Sequence, residues 1–455
     1  MTATEDHVTP HIIQTEIDGL PFAYQRSVLR TDPGRRSDAA AEIDELIQRG
    51  SDSSMTGLNV QVDPHDERLV VLAGRDDVDA LAVRDRLLAR GLKANVGLVP
   101  VYLTDDPIMG MTVKHGHGTT REGIYLAGLA PPPGSSAVEA GRRPVVAVLD
   151  TPVRRHRWLG DGDGDDSFWR DARQVEDGWE PRFEVPKENA NGRRRAAGHG
   201  TFIAGMVRLL AADARVLSVP VMHGNGVVEE EHVLDALGWL VHRVTTAADP
   251  GRREGFVDVV NMSFGRYLNS GEDEQFKEET RNLLGELARL GVRVVASAGN
   301  RPVTDDVFPA ILSDDDGDPD NTALVSVGAR DPDGSLADYT STGDWVTVKA
   351  PGTSMVSALP KFRHTDYPLP DDFDDDGDLR QPDPNFQASG VGQWSGTSFA
   401  AAWVSASIAA KLLEQATPGS LADTSSTVAG ARAKSAWDAV VADLEAWTAS
   451  HDLVD

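Results

Sequence analysis

VVAVLD, at residues 145–150, is a continuous apolar run that ends in an acid. A run of strand length without polar interruption indicates a β-strand that is covered on both faces. Similar runs occur at 214–221, 257–264, 292–299 and 323–329. Repeated buried strands of this kind predict a largely parallel sheet.

Helical patterns separate these strand-like runs. They cover 201–210, 229–244 and 273–290, and the last two begin with acidic residues. Acids suit the positive end of a helix dipole, which supports these starts. Strands that alternate with helices predict an α/β fold with a mostly parallel central sheet and helices on both faces. In such a sheet the functional site lies beyond the carboxyl ends of the strands.

The composition argues against several classes of protein and partner. The chain has 455 residues, which suggests two or three domains, and its 72 acids against 44 bases give a net charge of -28. That charge argues against nucleic acid as a partner, because phosphate binding needs clustered Lys and Arg. No cysteine is present, so disulfides, thiol nucleophiles and thiolate metal sites are excluded. With no signal-like N-terminus and no long apolar span, the sequence predicts a cytoplasmic protein without a membrane partner.

The chain divides into four predicted parts. Residues 1–60 are polar and rich in turn-formers, which predicts a partly flexible segment. Residues 61–129 predict a small α+β domain, in which RLVVLAG is a strand and KANVGLVPVYL is a strand pair. Pro and Gly interrupt 130–144, which we interpret as a linker. Residues 145–455 form the main domain, which includes an amphipathic helix at 435–449.

Three residues mark places where strands end or helices begin. Asp150 ends VVAVLD, His199 opens a helix in GHGTFIAG, and Ser398 opens another in SGTSFAAAWVSASIAAKLL. A hydroxyl is a poor nucleophile unless a neighbouring base takes its proton, and an imidazole is a suitable base. A buried carboxylate then holds the imidazole in the useful tautomer. Taken together, the three residues predict a serine nucleophile.

An attacked carbonyl also needs donors for the oxyanion that forms. Asn300 ends the predicted strand in VRVVASAGN, and its side-chain amide is a suitable donor. The backbone N–H of Ser398, at a helix start, is the second candidate donor.

These motifs occur in the order LDT, GHGTFIAG, NMSFG, ASAGN and SGTSFAA, and in this order they resemble the subtilisin-like serine proteases (subtilases, peptidase family S8). The resemblance covers about 141–415 and implies a three-layer fold and endopeptidase activity through an acyl-enzyme. The roles of the triad and of the oxyanion Asn are those of subtilisin. The resemblance also implies a substrate cleft with two walls, one formed by Ser263, Phe264 and Gly265, the other, in the S1 pocket, by Ala296, Ser297, Ala298 and Gly299.

The tetrapeptide GHGT occurs twice, at 116–119 and at 198–201. In the family that the chain resembles, the catalytic histidine follows the aspartate, whereas His117 precedes Asp150. An apolar, helix-compatible run follows His199, but a polar TTREG follows the first copy. We therefore predict that His199 is the base.

Three positions depart from the usual family pattern. Pro152 replaces a Gly after Asp-Thr, Phe202 replaces a His, and Phe399 replaces the Met after the nucleophile. None of these changes removes a catalytic atom. Pro152 stiffens the loop that leaves Asp150 and so bears on how that carboxylate is held.

An acidic loop at 371–378 carries Asp372, Asp374 and Asp376 on alternate positions before a Gly, like the opening of a calcium loop. Asp383 stands where such a loop has its Glu. A calcium site and a solvated acidic loop are both open interpretations. No other cofactor is predicted.

Several alternatives stay open. The unit at 61–129 is either a removable prodomain or a permanent interaction domain. The enzyme acts on protein or peptide substrates, either broadly or as a regulated protease with an activating or target protein. A non-catalytic binding module on the same fold is the rival from another class. An acid-active, sedolisin-like peptidase would use Glu and Asp in place of His199 and an Asp in place of Asn300, so both residues argue against it.

Overall fold

In the computed structural model the chain forms two compact units, Met1–Tyr102 with Asn269–Glu274, and Leu103–Leu268 with Gln275–Asp455. The described residues are 12–17, 20–31, 35–48, 55–62, 69–74, 78–103, 122–123, 140–162, 167–175, 196–224, 226–247, 255–268, 274–317, 324–360 and 390–451.

The first unit is a small α+β domain. Its elements are β1 (Ile12–Ile17), β2 (Leu20–Thr31), α1 (Arg36–Gln48), β3 (Asn59–Val62), β4 (Leu69–Ala73), α2 (Ala80–Ala89) and β5 (Val96–Leu103). Strand β2 pairs antiparallel with β1, β4 and β5, and β3 pairs with β4. Asp79 caps α2 by accepting from the backbone N–H groups of Leu81 and Ala82, which is the usual role of an N-cap carboxylate.

This unit corrects two expectations. The segment 1–60 contains β1, β2, α1 and the start of β3, so it is not simply a polar N-terminal extension, and the domain begins before residue 61. Its sequence does carry short local signals, because the apolar run LPFAY lies in β2 and the buried residues of α1 recur at helical spacing, namely Ala39, Ala40, Ile43 and Ile47. The prediction gave more weight to the polar composition of 1–60 than to these short patterns. KANVGLVPVYL forms the single strand β5 rather than a pair. Most of the predicted linker lies outside the described residues.

The second unit contains the main sheet. Its strands are β6 (Glu122–Gly123), β7 (Val145–Asp150), β8 (Trp169–Asp171), β9 (Arg215–Pro220), β10 (Val227–Glu229), β11 (Val259–Met262), β12 (Arg266–Tyr267), β13 (Arg293–Ser297), β14 (Val307–Phe308), β15 (Leu324–Arg330), β16 (Val348–Pro351), β17 (Met355–Ala358) and β18 (Val391–Trp394). Its helices are α3 (His199–Leu210), α4 (Glu230–Thr246), α5 (Glu274–Arg289), α6 (Thr397–Glu414) and α7 (Ser426–His451).

Seven strands form the central sheet in the order β16-β15-β13-β11-β7-β9-β8. Every pair in it is parallel, which confirms the predicted α/β fold. From β7 the chain first adds β9 on one side and later β11 on the other. The strand order therefore reverses at β7, and the carboxyl ends of strands at such a reversal are where α/β proteins bind their ligands.

Helix α6 lies against the sheet at this point and contacts β11, β13, β15 and β16. Small residues begin it, and Ala400, Ala401 and Ala402 are fully buried. A Cβ built on Gly352, next to β16, would lie 3.1 Å from the Ala400 Cβ. Small side chains thus let the helix approach the strands closely. The predicted C-terminal helix is confirmed but begins earlier, as α7, and packs on α6.

A buried ion pair connects the amino ends of two central strands. The Arg142 guanidinium donates to both carboxylate oxygens of Asp258, at 2.6 and 2.7 Å, and its Nε donates to the Leu421 carbonyl at 2.8 Å. Asp258 also accepts from the Val145 N–H at 2.9 Å. Both side chains are almost fully buried.

No helix in the described part of the chain is long and apolar enough to cross a bilayer.

We expect Asp258→Ala to lower the free energy of unfolding by about 3–5 kcal/mol, because it leaves the Arg142 charge buried without its partner. The matched control is Asp443→Ala, which removes an exposed partner 2.8 Å from Lys411 and should change stability by less than about 1 kcal/mol. Urea unfolding followed by circular dichroism measures both. Equal, small losses would contradict this expectation.

Candidate active site

Asp150 and His199 contact each other where β7 ends and α3 begins, and Ser398 lies in the first turn of α6, which packs against α3. Asp150 is the last residue of β7, and His199 is the first residue of α3. Ser398 is the second residue of α6, one position further into the helix than expected. Asp150 is 0% exposed, and His199 and Ser398 are each 4% exposed.

The carboxylate of Asp150 is held on both of its oxygens. Its Oδ2 lies 2.8 Å from the Nδ1 of His199, and its Oδ1 accepts from the Thr151 N–H at 2.7 Å. This contact assigns the proton of the neutral imidazole to Nδ1. The Nε2 atom is then the acceptor that can take a proton from a hydroxyl.

Gly200 allows this contact because a side chain there has no room. A Cβ built on it would lie 2.1 Å from the Thr151 carbonyl oxygen and 3.2 Å from the Asp150 Cβ. Its own N–H donates to the Thr151 Oγ1 at 2.9 Å. The glycine after His199 in GHGT is therefore required for the helix start to approach the end of β7.

Pro152 does not disturb the carboxylate. The residues after it are anchored, because the Val153 N–H donates to Ser218 Oγ at 3.1 Å and the Arg154 N–H donates to Thr201 Oγ1 at 3.0 Å. Both contacts of Asp150 described above are made with this proline in place. The departure from the family pattern thus leaves the Asp150–His199 pair intact.

The hydroxyl of Ser398 donates to the carbonyl of Ser263 at 3.2 Å. Across the described ranges no hydrogen bond joins this hydroxyl to His199. In free enzymes the bond between nucleophile and base is often long and tightens only when substrate binds. The two residues remain on adjoining helix starts, with Phe399 in contact with the imidazole at a ring-centroid distance of 5.2 Å.

Aromatic rings surround His199. Trp394 lies edge-on to the imidazole with ring centroids 5.2 Å apart. Phe202, Phe399 and Trp394 contact one another, with ring centroids 4.7 to 5.7 Å apart. Two of the three departures from the family pattern, Phe202 and Phe399, are therefore direct neighbours and pack together. The sequence analysis did not predict Trp394 as a site residue. The only indication in the sequence is that this aromatic residue stands four positions before Ser398.

A neutral histidine joins the loop after Asp150 to the chain before β18. The Nε2 of His156 lies 2.5 Å from the Gly390 carbonyl oxygen, and its Nδ1 accepts from the Trp158 N–H at 3.1 Å. Burial lowers the pKa of His156 below its usual value. Since Nε2 donates and Nδ1 accepts, this ring is held in one tautomer near pH 7.

Asn300 lies three residues beyond the end of β13, rather than at the strand end as expected. Its Oδ1 accepts from the backbone N–H of Thr397 at 2.8 Å and from the Thr397 hydroxyl at 2.9 Å. These bonds orient the side-chain amide against the first turn of α6. Its Nδ2 is the donor end of that amide.

The two segments predicted as cleft walls both contact the first turn of α6. On one side the Ser263 hydroxyl donates to the Ser398 carbonyl at 2.9 Å and accepts from Asn261 Nδ2 at 2.9 Å. On the other side the Gly299 N–H donates to Thr397 Oγ1 at 3.1 Å. The other predicted wall residues are all buried: Phe264, Gly265, Ala296, Ser297 and Ala298.

Other predicted site residues lie outside the described residues. They are His117 and the three acids Asp372, Asp374 and Asp376 of the predicted calcium loop. In the part of the chain that the structure describes, no group of three or more His, Asp or Glu side chains is arranged to hold a metal ion.

Comparison with known proteins shows a match to one family. The subtilase family model matches residues 141–449. Subtilisin-like protease 3 of Pseudogymnoascus destructans is 30% identical over 167 residues, which are 35% of this chain and 36% of that protein. Minor extracellular protease Epr of Bacillus subtilis is 27% identical over 173 residues, 35% of this chain and 22% of that protein. This chain thus spans about a third or less of the length of these relatives.

Among solved structures, fervidolysin from Fervidobacterium pennivorans, described as a keratinolytic enzyme related to subtilisin, aligns with a TM-score of 0.49 at 18% identity. The alignment covers 88% of this chain and 56% of that one. The family match carries the conclusion, because the range 141–449 is well over half of the 455-residue chain and includes Asp150, His199 and Ser398. The chain belongs to the subtilase family.

Proposed function

We propose that this protein is a serine endopeptidase that uses Asp150, His199 and Ser398. The observation that carries the proposal is the buried contact of 2.8 Å between His199 Nδ1 and Asp150 Oδ2, made where the strand order of the sheet reverses. Ser398 lies in the first turn of the helix that packs beside this pair. A buried carboxylate, an imidazole and a hydroxyl in this arrangement are suited to acyl transfer.

Each group has one task in the proposed reaction. The Ser398 Oγ attacks the substrate carbonyl carbon while its proton passes to His199 Nε2, and Asp150 stabilises the imidazolium through the Nδ1–H bond. Asn300 Nδ2 and the Ser398 backbone N–H donate to the oxyanion. The C–N bond then breaks, the leaving amine takes the proton from His199, and the acyl group stays on Ser398. Water repeats the sequence and releases the acid.

Labelling with a fluorophosphonate at neutral pH, followed by peptide mapping, tests the proposal. We expect one adduct, on Ser398, that forms more slowly when a peptide substrate is present. Labelling of another residue, or no labelling of the folded protein at any pH, would contradict it. Labelling and hydrolysis only at acidic pH would instead favour the sedolisin-like alternative.

We expect Asn300→Ala to lower kcat by about 10²–10³-fold with little change in KM, because a donor to the transition-state oxyanion is lost. Asn300→Asp should lower kcat similarly, although it keeps an oxygen for the Thr397 contacts. This second variant separates oxyanion donation from the anchoring of α6. Asn59→Ala, on an exposed residue of β3, is the control. Wild-type kcat in both Asn300 variants would contradict the role.

We further propose a target-directed protease inside the cell. The absence of cysteine supports a reducing compartment. Comparison of casein digestion with Ser398 labelling tests the target-directed role, since rapid casein digestion would indicate a general protease. Fractionation of cells tests the location.

A calcium site at 371–378 and removal of the N-terminal unit stay predictions.

A further inference from the structure

One side chain fills the gap between the two proposed walls of the cleft. A Cβ built on Gly265, in the first wall, would lie 2.7 Å from Val307 Cγ1. A Cβ built on Gly299, in the second wall, would lie 3.2 Å from Val307 Cγ2. The two methyl groups of Val307 therefore lie against the two glycines, one on each side.

The backbone keeps Val307 in this position. Strand β14 pairs antiparallel with β12, so that Val307 lies opposite Tyr267 and Phe308 opposite Arg266. Val307 is 0% exposed. Because valine is branched at Cβ, its χ1 angle is restricted, which favours this placement of the methyl groups.

The gap lies beside the nucleophile. The first wall reaches Ser398 through the Ser263 carbonyl, which accepts from Ser398 Oγ, and the second reaches α6 through Gly299. The residue whose carbonyl is attacked carries its side chain on the Cα atom that is bonded to the carbonyl carbon. That side chain, the P1 side chain, must therefore enter between these walls.

We propose that Val307 forms the floor of the P1 pocket and restricts the substrate to small P1 side chains, namely Gly, Ala and Ser. This inference rests on the proposed function. Two glycines facing each other leave space for a side chain, and the two methyl groups of Val307 occupy that space. Aromatic and long aliphatic P1 side chains would collide with a packed, stiff valine.

Peptides that differ only at P1 test the proposal with the full-length protein. We expect the wild type to give a higher kcat/KM for Ala than for Leu or Phe. Val307→Gly removes three carbons and should raise the ratio of Phe to Ala by at least about 10–200-fold, the range that one methylene group produces in an apolar pocket. Val307→Ala should raise the same ratio by a smaller factor. This variant replaces Val307→Gly in the test if the Gly variant does not fold.

The matched control is Val325→Ala, in β15, which is 2% exposed and removes the same two methyl groups from the core. It should lower thermal stability without changing the ratio. If peptide turnover is too slow to measure, peptidyl diphenyl phosphonates with Ala or Phe at P1 can be used instead. The ratio of their rates of Ser398 labelling then replaces the ratio of kcat/KM values.

The outcomes separate the two proposals. A wild type that prefers Phe, or a ratio that moves as much in Val325→Ala as in the Val307 variants, would overturn the role of Val307 alone. Failure of the fluorophosphonate and of both phosphonates to label Ser398 would overturn the proposed function, and the role of Val307 with it.

Discussion

Ser398→Ala and His199→Ala should each lower kcat by about 10⁶-fold, the size of the loss known for subtilisin. The double variant should lose no more than either single variant, because in the proposed mechanism the hydroxyl and the imidazole act as one unit. Without Ser398 Oγ no acyl-enzyme forms, and without His199 nothing takes the hydroxyl proton. The remaining activity would come from substrate binding and the oxyanion donors.

Hydrolysis of a chromogenic peptide and fluorophosphonate labelling measure these losses in parallel. His117→Ala is the sharpest control, since it removes the histidine of the other GHGT motif. It should keep wild-type kcat and labelling. A large loss in His117→Ala with activity retained in His199→Ala would reverse the assignment of the two motifs. Thermal unfolding of each variant separates lost chemistry from lost folding.

Asp150→Asn should lower kcat by about 10⁴-fold, with little change in KM. Asp150 Oδ2 receives the Nδ1–H of His199 at 2.8 Å, and an amide NH₂ at this position would instead donate to Nδ1. The proton would then sit on Nε2, and the imidazole could not accept the hydroxyl proton of Ser398. The remaining carboxylate contact, from Thr151 N–H, can still be made to an amide oxygen.

The rate of fluorophosphonate labelling should fall with kcat in this variant, because both depend on the same proton transfer. Asp438→Asn is the control, since this aspartate is exposed on α7 and pairs only loosely with Lys434 at 3.6 Å. It should leave both rates unchanged. A loss of less than tenfold in Asp150→Asn would show that the carboxylate does not set the tautomer of His199.

The sequence predicted the fold class because its signals are local. An uninterrupted apolar run such as VVAVLD has few other interpretations than a strand covered on both faces, and acidic helix starts between such runs completed the α/β pattern. The resemblance to subtilases likewise depended on short motifs, each complete within a few residues. The position of Asp150 at a strand end and of His199 at a helix start followed directly and is confirmed.

Local patterns failed where burial depends on distant partners. In the segment 12–62 the buried positions of α1 recur at helical spacing, but nothing local showed that Ile43 of α1 and Tyr24 of β2 would share one core. Trp394 escaped notice for the same reason, because only packing places its ring against His199. Nothing in the sequence around Pro152 showed that the following loop is anchored by Ser218 and Thr201.

By itself, the sequence determined that strands alternate with helices and that an aspartate, a histidine and a serine stand at their ends. Only the tertiary structure decided that β7 pairs with β9 and β11, that Asn300 is oriented by Thr397, and that Val307 lies between Gly265 and Gly299. The physical reason is range. Backbone periodicity acts over neighbouring residues, whereas these contacts join residues from 8 (Gly299 to Val307) to 113 (Val146 to Val259) positions apart and exist only once the sheet has assembled.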